Sequence, residues 1–380
     1  MDGLLTLFLL TIFVVLHELG HFVAARRSNI AVTEFFVGFG PKLFSFKNKN
    51  TEYGLKAIPL GGYVKIPGMD ESEETIGYEE SQLFHQTKWT TKVYISLSGI
   101  IVNFIIAWII LFFVININGI SRPTLEIFTI GESVVNNDES PSEKAGLLPG
   151  DIIYEFNNNS VETWEELVQI IENNPNKNVE IKYLRNGNPY TTQTTLEKRT
   201  VGNFDYGYLG ISPNIENLKP SLSESILYTF KTEYSMTVAA VEGIFTLLSP
   251  SNIKILLGTY SGEDVPDEVR PLSPIGLAQA GSQIASYGYT NLFSLLAFVN
   301  VFLAVFNSIP LIPLDGGRVL LALIEGLTGK KISDKKMYPI AIVVIAVFIF
   351  LGITAFYLDL TQPIKPVSYK HLTLPTICSV

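Results

Sequence analysis

Residues 4–27, LLTLFLLTIFVVLHELGHFVAARR, place two histidines and a glutamate inside an apolar run long enough to cross a bilayer. A crossing helix needs about 20 apolar residues. The run has the length of a secretory leader, but Arg26 and Arg27 follow the apolar residues, whereas a leader's positive charges precede them. It is read here as a retained membrane helix. On such a helix His17 and His21, four residues apart, share one face, so both imidazoles can grip one metal ion while Glu18 stands beside it as general base. A bland packing role for these side chains is a poor competitor, because ionisable groups inside a membrane helix are costly and usually functional.

Three more apolar blocks support a membrane reading: Leu97 to Ile117 with Asn103, Leu292 to Ile312 with Asn300 and Asn307, and about Tyr338 to Leu358. Buried helices of a large soluble core are the alternative. The chain is only 17% charged, against about 25% for typical soluble domains, and its mean hydropathy is +0.29, so lipid is the better solvent for these runs. The net charge of −9 gives no support for a nucleic-acid partner, which needs a clustered basic surface to neutralise phosphates. Cys378 is the sole cysteine, which excludes an intramolecular disulfide and a cysteine-ligated zinc finger. Arg26, Arg27, Lys88, Lys92, Lys330, Lys331, Lys335 and Lys336 flank the blocks on what should be the cytoplasmic side. The N-terminus, residues 118 to about 290 and the C-terminus are then expected outside.

Between the first two spans, Phe35 to Pro67 alternates β-branched and aromatic residues with Gly and Pro, the pattern of hairpins. Open strand edges are not tolerated against lipid, so these hairpins belong at the interface or behind protein. The acidic run Asp70-Glu71-Ser72-Glu73-Glu74 reads as a solvated loop. Residues 125–215 have a soluble composition, with a helix over Thr163 to Ile171 and a strand over Val179 to Leu184 ending at the Asn186-Gly187 turn. The phrase Ala145-Gly146-Leu147-Leu148-Pro149-Gly150-Asp151 resembles a bacterial PDZ domain, which binds peptide ends by adding a strand to its sheet. Residues 222–249 read as an interfacial amphipathic helix rather than a fifth span, because Lys231, Glu233 and Glu242 interrupt the run.

The expected fold is therefore a multi-pass α-helical membrane protein of about four spans, with a cytoplasmic-side β-hairpin segment and an extracytoplasmic α/β PDZ domain. Its parts are a first transmembrane helix at 1–27, the hairpin and loop region at 28–92, a second transmembrane helix at 93–118, and the PDZ domain at 125–215. Interfacial helices and a linker follow at 216–290, then a third transmembrane helix with Asp315-Gly316-Gly317 at 291–330 and a fourth at 337–360. Residues 368–380 lack periodicity and charge logic and are read as an extraneous tail.

A catalytic tetrahedral zinc takes three protein ligands and leaves one position open. The other histidines fit poorly, since His85 lies in a polar loop and His371 in the tail. A carboxylate at membrane depth is the better third ligand, and Asp315 meets that condition. Pro310 and Pro313 loosen the backbone ahead of it, and Gly316-Gly317 permits close approach. The alternative is a turn in which Asp315 merely caps a helix.

His17 to His21 in the first span, together with Asn307 to Gly317 in the third, resembles the site-2 protease family of intramembrane zinc metalloproteases. The PDZ insertion is similar to the family's bacterial regulator-of-sigma-E protease branch, and the likeness runs to about Leu360. The resemblance implies that His17, His21 and Asp315 bind Zn2+, that Glu18 is the catalytic base, and that Asn307 contacts the substrate backbone or the oxyanion. It also implies that the hairpin segment presents substrate as an added strand. Ser98-Gly99 and Asn103 match the family's second-span pattern, while Ile100 stands where proline is common. The implied activity is cleavage, in a bacterial cell membrane, of single-span proteins such as anti-sigma factors or remnant signal peptides, with peptide ends docking on the PDZ domain. A catalytically inactive PDZ scaffold is the rival from another class, and a zinc transporter a third.

Overall fold

The computed structural model describes residues 2–69, 79–133, 139–201, 204–262, 265–266, 269–331 and 337–362. The acidic run at 70–74, Lys335, Lys336, His371 and the tail at 368–380 with Cys378 lie outside the described residues. Two compact units form, one from residues 1–117 with 221–366 and the other centred on 118–220.

The chain opens with helix α1 (Asp2–Arg27), which carries Arg26 and Arg27 in its last turn, where cations complement the helix dipole. Strands β1 (Glu34–Asn48) and β2 (Thr51–Lys65) follow. They form more than a simple hairpin. Glu34 to Val37 lies between two stretches of β2, pairing with Gly62 to Lys65 on one side and Glu52 to Leu55 on the other. Phe36 is buried at the middle of this arrangement and stacks on Tyr63, and Gly54 leaves the room its ring needs. The sheet docks on α1, where Thr11 Oγ1 donates to the Pro59 carbonyl at 2.7 Å and Phe22 packs against Phe35 and Tyr53.

Helix α2 (Trp89–Asn118) starts four residues before the expected boundary. Ile101, Ile105, Ile109, Phe113 and Ile117, four residues apart, are exposed, while Gly99, Asn103, Ala107 and Leu111 are buried. One stripe suits lipid and the other packs on protein.

The second unit holds β3 (Ile120–Ile130), α3 (Pro141–Lys144), β4 (Ile152–Phe156), β5 (Asn159–Ser160), α4 (Trp164–Glu172), β6 (Asn178–Arg185) and β7 (Asn188–Thr195). The hairpin β8 (Glu197–Val201) and β9 (Phe204–Tyr208) precedes β10 (Ile211–Leu218). The main sheet runs β10-β3-β4-β6-β7, with β5 beside β4. Ser140 and Glu143 form a reciprocal cap on α3, and Thr163 and Glu166 form another on α4. At the Asn186-Gly187 turn both residues have positive φ, as a two-residue hairpin loop with the right twist requires. The Leu147-Leu148-Pro149-Gly150-Asp151 phrase has a structural job. Asp151 is buried, accepts the Leu148 N–H at 2.8 Å and takes two hydrogen bonds from Arg185, so it pins the turn to β6. Trp164, Leu167, Ile171, Ile153, Phe156 and Ile181 fill the core.

The first unit resumes with α5 (Leu222–Leu247) and α6 (Pro250–Gly258). Pro250 stands at the start of α6 and Ser249 caps it, so the helix restarts rather than continues. The two segments meet at 63° and, taken as one bent element, are long and apolar enough to cross a membrane. Helix α7 (Pro274–Ser286) packs on α1 through small residues, Gly3 against Ala278 and Gly281 against Thr6. Helices α8 (Tyr289–Asn307), α9 (Asp315–Thr328) and α10 (Tyr338–Thr361) complete the chain. Buried Asp359 of α10 accepts the N–H groups of Ser273 and Gly276 at the start of α7 and pairs with Arg270 at 2.8 Å.

Among the described residues four single helices, α1, α2, α8 and α10, are long and apolar enough to span a membrane. The backbone loosens where Pro310 and Pro313 lead one to expect it. The apolar run to Ile312 does not continue as helix. It stops at Asn307, residues 308–314 are irregular, and a separate helix begins at Asp315. Pro310 and Pro313 cannot donate to a helical ladder, which is why the run breaks there.

Trp164 fills the centre of the second unit, so Trp164→Ala should cost roughly 3–5 kcal/mol and show as faster hydrogen exchange of the β4 and β6 amides in the full chain.

Candidate metal centre

His17 and His21 lie on the buried face of α1, with Gly20 between them in the close approach to α2. A Cβ at Gly20 would sit 2.8 Å from the Ser98 carbonyl oxygen, so only glycine lets the two backbones come this near. Across the gap, Gly99 of α2 faces the imidazoles directly. A Cβ there would lie 2.8 Å from His17 Nε2 and closer still to His21 Nε2.

Asp315 enters from α9. Its carboxylate sits in the first turn of that helix, where the dipole favours negative charge, and no side chain caps the helix start. The carboxylate points instead at the histidines, with Oδ2 3.2 Å from His17 Nε2 and 3.1 Å from His21 Nε2. The two Nε2 atoms are 3.3 Å apart. Gly316 and Gly317 let the start of α9 seat on the backbone of Ser308 to Ile312.

The three candidate ligand atoms, 3.1–3.3 Å apart, form a nearly equilateral triangle. Zinc bonds of about 2.0–2.1 Å at the tetrahedral angle separate ligand atoms by about 3.3 Å, so the triangle fits one face of such a site. The donor set of two imidazoles and a carboxylate fits as well. His21 Nδ1 lies 2.8 Å from the Ile95 carbonyl oxygen, which fixes the proton on Nδ1 and leaves the Nε2 lone pair for the site. His17 Nδ1 is buried and has no hydrogen-bond partner among the described residues, so the orientation of that ring is set by packing and by its Nε2 contacts.

Glu18 stands beside the triangle with its Oε2 accepting the Val64 N–H at 3.1 Å. Strand β2 runs close along α1 here, since a Cβ at Gly62 would be 3.8 Å from Glu18 Cγ. The residue does not share the ligand triangle, which leaves it free for proton transfer. Asn307 is the expected site residue that the structure does not tie to the others. Its Nδ2 donates to the Leu303 carbonyl one turn back at 3.0 Å, and the second N–H of the amide has no acceptor among the described residues. His85 lies apart in a short turn, where its carbonyl accepts from Lys331.

Gly99, the Ile95 carbonyl and the Val64 N–H are parts of the site that sequence reasoning did not assign. A glycine within an apolar helix is a signal for close approach, yet nothing in the sequence says what approaches. Backbone groups carry no sequence signal at all.

The sequence profile of peptidase family M50 matches residues 5–351. A Clostridium acetobutylicum protein provisionally named a zinc metalloprotease is 31% identical over 354 residues, covering 93% of this chain and 96% of its own. The zinc metalloprotease RasP of Shouchella clausii is 26% identical, with 93% and 97% covered. The regulator of sigma-W protease RasP of Bacillus subtilis is 25% identical, with 91% and 95% covered.

Because a Cβ at position 99 would enter the ligand triangle, Gly99→Ala should lower zinc affinity about tenfold or more while leaving helix content unchanged. Metal analysis and circular dichroism of the purified protein would show it.

Proposed function

The chain belongs to peptidase family M50, the site-2 proteases, and is a zinc metalloprotease, and from that premise we propose that it cleaves the membrane segments of single-span proteins at the centre built by His17, Glu18, His21 and Asp315. His17, His21 and Asp315 would hold the zinc ion. Zinc in such a site makes water acidic enough to attack near neutral pH and polarises a carbonyl. The observation that carries the proposal is the ligand triangle itself, assembled from helices whose ligand residues lie 294 positions apart in the chain, with a carboxylate outside the triangle next to it.

Glu18 takes the proton of the attacking water as the new C–O bond forms at the scissile carbonyl. It then delivers that proton to the departing amine as the C–N bond breaks. The Val64 N–H holds the Glu18 carboxylate in place meanwhile. The free N–H of Asn307 donates to the developing oxyanion once substrate is bound.

A helical peptide bond is shielded by its own hydrogen bonds, so substrate must be unwound. The stretch Gly62 to Lys65 supports a way to do it. Its inner side pairs with Glu34 to Val37, and its outer side faces α1, where the Val64 N–H points at Glu18. A substrate segment laid along that outer edge as an added strand is extended beside the base and the zinc ligands.

In the second unit β10 is an edge strand of the main sheet, turned into place by Gly210 at positive φ. This arrangement, with the Ala145 to Asp151 phrase, supports a PDZ-type module that docks peptide ends and restricts access by bulky substrates, as in the regulator-of-sigma-E branch. The basic flanks Arg26, Arg27, Lys88 and Lys330 support an orientation with the metal centre towards the cytoplasm of a bacterial cell and this module outside. Anti-sigma factors already shortened outside, and remnant signal peptides, have the single span this site would take. The Bacillus relative's name, a regulator of sigma-W protease, is consistent with the first of these. A peptide-docking scaffold without catalysis would not need Glu18 beside an assembled ligand set.

Reconstituted with a tagged single-span substrate, Glu18→Gln should lose at least about a hundredfold in kcat and keep its zinc. Equal cleavage by parent and variant would remove Glu18 as base. Separately, a fluorescent peptide ending in a free carboxylate should bind the full chain saturably, and a bulky substitution at Ile215 on β10 should weaken that binding.

A further inference from the structure

Lys92 and Glu325 form an ion pair at 2.6 Å whose side chains are only 9% and 17% exposed. Each charge is on the unfavourable end of its own helix. Lys92 lies in the first turn of α2, where the dipole opposes a cation, and Glu325 in the last turn of α9, where it opposes an anion. Burial adds a desolvation cost to both. Nothing local favours either residue, so their value lies in the contact between the helices.

Those two helices are the ones that complete the metal centre. One turn beyond Lys92, the Ile95 carbonyl holds His21 Nδ1, and one further turn on, Gly99 faces both imidazoles. Helix α9 begins with Asp315. Its near end rests on the irregular stretch 308–314, which has no ladder of its own to aim a side chain. Its far end is held to the start of α2. There Gly326 packs so closely on the Trp89 indole that a Cβ would lie 2.5 Å from its nearest ring atom, and Lys92 meets Glu325. Glu325 is about 15 Å along the helix from Asp315, so anchoring it limits both the rotation and the sliding of a rigid rod whose other end carries the ligand.

We propose that Lys92 and Glu325 are positioning residues for the metal centre, whose ion pair fixes α9 against α2 so that Asp315 meets His17 and His21. The inference rests on the zinc site proposed above. A directional ion pair sets the register between helices more sharply than apolar contact does, which is the best-attested use of buried charges. Arg318, whose guanidinium donates to the Met69 carbonyl, adds a second polar attachment nearer Asp315, so loss of the pair loosens α9 without releasing it.

The test uses the full chain purified in detergent, with zinc retention measured by competition against a chromophoric chelator, and kcat and KM measured on a single-span substrate. Glu325→Gln and Lys92→Met should each weaken zinc retention about tenfold and lower kcat, with KM within about twofold of the parent. Lys92→Arg and the reversed pair Lys92→Glu with Glu325→Lys should recover most of both. The proposal is overturned if the single variants keep zinc and kcat within about twofold of the parent. It is equally overturned if they merely unfold more easily at unchanged zinc affinity, or if a folded reversed pair fails to recover zinc. A parent chain whose zinc does not depend on His17, His21 and Asp315 would instead sink the zinc-site reading, so the two failures are distinguishable.

Discussion

Everything in the first unit is arranged around a triangle of two imidazole nitrogens and one carboxylate oxygen, 3.1–3.3 Å on a side, inside helices otherwise chosen for lipid. Ionisable groups in such surroundings are tolerated only when other groups answer them. The three candidate ligands answer one another, and the Ile95 carbonyl answers His21 from behind. Ordinary side chains are excluded from the gap. Gly20 and Gly99 are glycines because a methyl group at either would strike the facing helix or the ligands.

The constraint propagates outward. Bringing α2 onto α1 at Gly20 commits the buried stripe of α2, which continues through Asn103, Ala107 and Leu111 to α5 and α8. Helix α8 must then end early so that the chain can turn and bring Asp315 back, which two prolines and two glycines accomplish over Ser308 to Gly317. The strand Gly62 to Lys65 is drawn beside α1 by the Val64 N–H to Glu18 contact, so the same carboxylate that flanks the ligands also anchors the sheet. Function and packing share residues here. That explains why polar groups are few in these helices and concentrated where they are.

Much of this was legible in the sequence. The four helices long and apolar enough to span a membrane, the pairing of His17 with His21, the nomination of Asp315 and the helix, strand and Asn186-Gly187 turn of the second unit all follow from spacing, hydropathy and turn chemistry, which are local properties. In the third apolar block the prolines mark the break, but hydropathy does not give the last helical residue. Hydropathy continues to Ile312 while the helix stops at Asn307, because apolar residues serve equally well in a helix and in an irregular segment shielded by protein. The run 222–249, read as one interfacial helix, forms α5 and is followed after a capped break by α6, a geometry set by Ser249 and Pro250 more than by the charges within the run.

The sequence by itself determined which residues can be ligands and which stretches lipid can solvate, because side-chain chemistry and helical periodicity are written one residue at a time. Only the tertiary structure decided that Asp315 turns to the histidines instead of capping its helix, that Glu18 takes a backbone N–H from β2, and that Lys92 and Glu325 meet although each opposes its own helix dipole. Those outcomes depend on distances between elements far apart in the chain. They rest on backbone groups, which leave no mark in a pattern of residue types, and on close glycine contacts, whose partners the pattern does not name.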